Sequence, residues 1–174
     1  MQMATVQVWD PLIRIFHWTV AVVFVANYFF NEKGGDLHII LGYTAAGMLV
    51  LRFFWGFVSH GAARWSDFFP TPSRLVAHWS SLMRGDGYRR LGHTPLGAVV
   101  MILMMSCLAG LAATGYMMEE TDMFWGVEWV KDLHWGFATT LLGLVVLHIL
   151  GALYESYRLK ENLPLSMITG RRRR

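Results

Sequence analysis

Cysteine is almost missing from this chain: Cys107 stands alone among 174 residues. A single thiol closes no intramolecular disulfide, and no Cys-x-x-Cys-His motif occurs, so a covalently attached c-type haem is excluded. Charge is also scarce, at 16% of residues, against 55% hydrophobic residues and a mean hydropathy of +0.38. Few soluble domains of this size have such a composition. There is no low-complexity tract, internal repeat or second domain. Without a soluble basic domain, the pI of about 9.2 gives no reason to expect nucleic-acid binding. A cleavable signal pattern is absent as well: Arg14 and His17 sit inside the first apolar run, and no small-residue cleavage site follows. The first span is therefore expected to be a retained anchor.

What is abundant is clustered apolar sequence. Four stretches, at about 12–30, 37–58, 94–118 and 133–154, are each long enough to cross the hydrocarbon core as a helix. The expected fold is an all-α membrane protein, a four-transmembrane-helix bundle forming one domain over residues 1–174. Asp10-Pro11 reads as a cap and first turn for the first helix. In the 59–93 loop, Thr71-Pro72-Ser73 opens a short amphipathic helix with Leu75, Val76, Trp79, Leu82 and Met83 on one face. It is expected to lie on the inner membrane surface, with Arg74, His78 and Arg84 pointing elsewhere.

Charge orients the bundle. The N-terminus, the 59–93 loop and the tail hold 13 of the 15 lysines and arginines, Arg89, Arg90 and Arg171 to Arg174 among them. The opposite side holds only Lys33 and Lys131, beside Glu32, Asp36, Glu119, Glu120, Asp122, Glu128 and Asp132. The positive-inside rule then places both termini in the cytoplasm. The closing arginine run reads as an anchor on anionic lipid.

Ionisable or coordinating side chains within membrane spans are costly and mark functional sites by default. Here they are His17, His38, His134 and His148. His134 and His148 are 14 residues apart on one helix, nearly four full turns, so they share a face about 21 Å apart along the axis. By depth His17 matches His148, and His38 matches His134. Two neutral imidazoles on different helices are what bis-histidine haem ligation requires, and a four-helix bundle supplies the geometry. Any one of these histidines alone reads more simply as an interfacial residue; the depth pairing favours two stacked haems. Small residues follow each by three or four positions (Ala21, Gly42, Ala138, Gly151), which lets a flat macrocycle approach. His60 and His78 are expected to be solvated or at the interface. His93 either opens the third helix or meets a haem propionate or a quinone carbonyl. Arg14 and Arg52 either pair with haem propionates or serve as inner anchors. Cys107 and the methionines of the third helix read as packing.

These residues resemble a known family. The segment Val8-Trp9-Asp10-Pro11-Leu12-Ile13-Arg14-Ile15-Phe16-His17-Trp18 resembles the opening of the bacterial cytochrome b-561 and Ni,Fe-hydrogenase b-type cytochrome superfamily. His38 with Gly42-Tyr43, Arg52 with Trp55-Gly56-Phe57, Gly92-His93-Thr94-Pro95-Leu96-Gly97, and His134 with His148 are similar to its later motifs. The tail, Glu161-Asn162-Leu163 and Met167-Ile168-Thr169-Gly170-Arg171, resembles the small four-helix branch. The resemblance implies two non-covalent b haems, one on His17 and His148 and one on His38 and His134. It implies electron transfer between the membrane quinone pool and a periplasmic or membrane redox partner such as a cytochrome c. It also makes His93 and Thr94 candidates for the quinone head.

Two closed bis-histidine shells leave iron no open position, so outer-sphere transfer is the expected chemistry. The acidic outer face either docks a lysine-rich redox protein or merely reflects topology. An alternative is a stand-alone superoxide:quinone oxidoreductase, although acidic outer loops attract no anion. A haem-free metal transporter would show broken helices or a repeat, and neither is present.

Overall fold

The computed structural model describes residues 5–85 and 91–173; Arg89, Arg90 and Arg174 of the basic bias lie outside them. The described chain runs as strand β1 (Thr5–Gln7) and helices α1 (Pro11–Val25), α2 (Asp36–Val58), α3 (Trp65–Phe68) and α4 (Pro72–Arg84). Helices α5 (Pro95–Glu120), α6 (Glu128–Leu159) and α7 (Leu163–Thr169) follow, then strand β2 (Arg171–Arg173). A π-helical turn, Ala26–Phe30, prolongs α1. Four helices are long and apolar enough to cross a membrane: Pro11–Phe30, Asp36–Val58, Pro95–Glu120 and Glu128–Leu159. Each covers one of the four expected apolar runs.

Local chemistry sets the helix starts. Pro11 occupies the first position of α1, where its missing N–H costs nothing. The Asp10 carboxylate accepts from Ile13 N at 2.9 Å and, with its other oxygen, from Trp55 Nε1 at 3.1 Å. One side chain thus caps α1 and holds the end of α2. Thr71 and Asn162 cap α4 and α7 in the same way, each followed by a proline in the first turn.

The chain clusters into two compact units. One comprises Phe16–Phe53 and Leu103–Val145. Its core is Phe24, Cys107 and Leu141, with Tyr28, Met104, Leu108 and Phe137 packed around them. Helices α5 and α6 touch at Gly110, where an added Cβ would lie 2.5 Å from the Phe137 ring. Such close approach through small residues is how membrane helices pack without a hydrophobic drive.

The other unit comprises the described residues up to Ile15, Phe54–Ile102 and the chain from Val146. Trp9, Ile13 and Ala63 form its core. The two ends of the chain meet here. β1 and β2 pair antiparallel, with Val6 opposite Arg172. Val8 N and Trp9 N both donate to the Gly170 carbonyl, at 2.8 and 3.1 Å, and Trp9 Nε1 donates to Ser166 Oγ at 3.1 Å. Gly170 has φ +78°, and a Cβ there would lie 2.8 Å from the Trp9 carbonyl, so only glycine fits this crossing.

Two expectations are corrected in this unit. Within the arginine run, Arg172 is not at the surface. As a strand the run alternates, which turns Arg172 inward while Arg171 and Arg173 stay exposed. Arg172 donates to Glu161 at 3.0 Å and to the Gly92 carbonyl at 3.2 Å. His78, expected to be solvated or at the interface, is instead buried in the protein, at 1% exposure. Helix α4 lies with Val76, Trp79 and Met83 outward and His78 and Ser81 against the protein. The apolar edge suits a membrane interface, and the polar edge then needs buried partners.

Breaking the Glu161–Arg172 pair strands a buried guanidinium. Glu161→Ala is expected to cost about 3–5 kcal/mol, read as a lowered melting temperature by circular dichroism in detergent. The paired replacement Glu161→Gln/Arg172→Met should recover most of that loss. Equal melting of Glu161→Ala and the parent protein would show that the pair contributes nothing.

Candidate functional site

His38 is the third residue of α2 and His134 the seventh of α6. Their rings lie with centroids 6.2 Å apart and planes inclined at 55°. An imidazole nitrogen binds a metal at about 2 Å, and its ring centre lies roughly 1.2 Å further back, so two rings on opposite sides of one ion stand about 6.4 Å apart. The observed separation matches that arrangement.

The protonation of His134 follows from its neighbour. Thr114 Oγ1 donates to the Gly110 carbonyl at 2.7 Å and lies 2.8 Å from His134 Nδ1. A hydroxyl has one proton, and it is already used. With that proton on Gly110, Nδ1 is the donor to Thr114, and Nε2 is the nitrogen whose lone pair can coordinate. His38 keeps a buried Nδ1 without a hydrogen-bond partner. Its backbone carbonyl accepts from Asn27 Nδ2 at 3.0 Å, and Asn31 holds Asn27 in turn at 2.7 Å. A buried imidazole nitrogen without a protein partner fits a coordinating role better than a packing one.

His17 and His148 are both half-buried, on α1 and α6. The His17 ring meets Trp18 edge-on at 5.0 Å. Gly42 follows His38 and Gly151 follows His148, and a Cβ at either would meet no atom within 4 Å. Their small size is not demanded by packing within the chain, in contrast to Gly110.

The remaining sequence candidates have mixed placements. Arg14 donates through Nη2 to the Ile168 carbonyl, so part of its guanidinium holds the C-terminal segment. Arg52 is buried, at 4% exposure. His93 is sandwiched between Trp9, with ring centres 4.8 Å apart, and Phe68, at 5.6 Å. Thr94 Oγ1 accepts from Gly97 N at 3.2 Å and caps α5.

The sequence model of the prokaryotic cytochrome b561 family matches residues 8–170. The chain belongs to that family. A probable Ni/Fe-hydrogenase B-type cytochrome subunit of Rhizobium leguminosarum bv. viciae is 24% identical over 216 residues, covering 97% of this chain and 89% of the relative. No solved structure matches the chain. A member of this family is a multi-pass membrane cytochrome that binds haem b and transfers electrons across the membrane.

For a b-type cytochrome the donor set is suitable. Neutral imidazoles held by outer hydrogen bonds are the usual axial ligands of a non-covalent haem. Two elements of this cytochrome were not anticipated from sequence: the Thr114 contact and a buried His78–Glu155–Arg158 cluster. Thr114 has a detectable signal, as a hydroxyl in an otherwise apolar helix. His78 has one too, since helical periodicity places it off the apolar face of α4.

Thr114→Val removes the acceptor at His134 Nδ1 while keeping the side-chain shape. It is expected to weaken retention of one haem about ten- to a hundredfold, measured by haem titration of the apoprotein, and Thr114→Ser should restore it. Unchanged haem affinity in Thr114→Val would remove Thr114 from the site.

Proposed function

We propose that this cytochrome carries electrons between the membrane quinone pool and a redox protein on the periplasmic face, through two bis-histidine b haems. His38 and His134 hold one, and His17 and His148 hold the other. The observation that carries the reading is the 6.2 Å His38–His134 separation, with the His134 tautomer set by Thr114. The second pair rests on sequence depth and on the 14-residue repeat along α6. Both termini lie in the cytoplasm, following the basic bias.

Bound haem supplies one-electron redox chemistry, and its potential responds to axial ligands, burial and nearby charge. The chain's own residues do the rest. Four imidazoles used as two opposed pairs hold the haems with no coordination site for substrate. Arg14 and Arg52 neutralise propionates, as guanidinium groups at the inner ends of α1 and α2. His93, held between Trp9 and Phe68, presents a donor to a quinone head, beside the Thr94 cap. Quinol gives up two electrons and two protons there; the electrons move along the bundle and the protons leave on the same side. The carboxylates of the opposite face, Glu119, Glu120, Asp122, Glu128 and Asp132, attract a basic partner such as a cytochrome c. The Rhizobium relative is named as a hydrogenase subunit, which supports a protein redox partner.

The purified protein is expected to show sharp low-spin b-type bands on reduction, with two haems per chain. His38→Ala or His134→Ala should each remove the same single haem, and His148→Ala the other. Ubiquinol or menaquinol should reduce the bound haem without added reductant. A colourless protein, or His148→Ala and His134→Ala removing the same single haem, would contradict the assignment.

A further inference from the structure

The cluster formed by His78, Glu155 and Arg158 is not used in the reading above. His78 Nε2 lies 3.7 Å from Glu155 Oε1, and Arg158 Nη1 lies 3.6 Å from the same oxygen. The three side chains are 2%, 12% and 13% exposed. These are ion-pair distances, longer than direct hydrogen bonds. A carboxylate therefore sits between two nitrogen bases, out of water, where charge is expensive unless balanced. Arg158 is always charged and balances Glu155. His78 is then the one member of the cluster free to change charge near neutral pH.

The position of the cluster gives it something to respond to. Glu155 follows His148 by seven residues on α6, which is about 10 Å along the axis and 20° from the same face. The stripe that carries His134 and His148 therefore continues into Glu155 and, through it, His78. At that spacing in a medium of low dielectric, one unit charge is felt strongly by another and is poorly screened by salt.

We propose that the His78–Glu155–Arg158 cluster is a proton-binding site coupled to the redox state of the haem on His148. The coupling rests on the proposed role of His148 as a haem ligand. When an electron arrives at that end of α6, the local positive charge falls by one and His78 takes up one proton from water on its own side. When the electron leaves, His78 releases the proton. Charge balances at each stage: one electron in, one proton in. The cluster thus holds a proton of the kind that quinol oxidation must discharge.

The charges facing His78 determine the direction of the effect. Burial lowers its proton affinity most, Glu155 raises it and Arg158 lowers it. With its proton affinity below the ordinary histidine value, His78 is neutral near pH 7 while the haem is oxidised. Reduction raises that affinity. Between the two affinities, the potential of this haem falls as pH rises; below or above both, it is flat.

Spectroelectrochemical titration of the holoprotein between about pH 5 and 8 tests this, since histidine titrates there. The wild type is expected to show one pH-dependent haem and proton uptake on reduction, followed with an indicator dye. His78→Asn should keep both haems and lose both effects. Glu155→Gln should keep both haems and move the pH-dependent window to lower pH, because the charge that raises His78 is gone. A pH-independent wild type, an unchanged pH dependence in His78→Asn, or an unmoved window in Glu155→Gln overturns the proposal. The underlying ligand assignment fails separately: spectra of His148→Ala would then retain both haems whatever the slopes show.

Discussion

A ring nitrogen inside a hydrocarbon layer has no water to turn to, and the histidines of the spans are placed under that constraint. Backbone groups of the spans are satisfied within the helices. Side chains in the spans must find a partner within the protein or bind something from outside it. His134 satisfies one nitrogen on Thr114, whose own proton goes to Gly110, and that directs the other nitrogen outward from its helix. The same economy applies to Asp10, which uses its two oxygens for the α1 backbone and for Trp55.

The second unit meets the constraint differently, by joining the ends of the chain. The strand pair, the Gly170 crossing and the Glu161–Arg172 ion pair fasten the C-terminal segment to the residues that open α1. Trp9 is the hinge of this arrangement, since it bonds Ser166 with its indole N–H and also lies against His93. Arg172 reaches the Gly92 carbonyl, next to His93 in sequence. The termini therefore contribute to the surroundings of a candidate quinone residue, and basic sequence that reads as lipid anchoring has a structural use.

Spans and the His38–His134 pairing were legible in the sequence because both rest on simple physics. Length and hydropathy determine what crosses a bilayer, and helical pitch determines which histidines share a face. Thr94 was read only for the quinone head; its cap on α5 shows once Oγ1 is seen to accept from Gly97 N. Arg172 was not legible, because inward alternation is visible only once its short strand has a partner in Thr5–Gln7, far away in sequence. His78 was misplaced because an amphipathic helix read alone has an apolar side and a polar side, and the polar side was assigned to water. In contact with Glu155 and Arg158 that side became the buried one.

Electron transfer needs little from a protein beyond holding its carriers rigidly and keeping substrate off the iron, and opposed histidines do both. The coordination state is thus the central claim. Electron paramagnetic resonance of the oxidised, purified protein tests it most directly. Two low-spin ferric signals per chain of the bis-imidazole kind are expected. A high-spin signal, or a single low-spin haem per chain, would contradict the account.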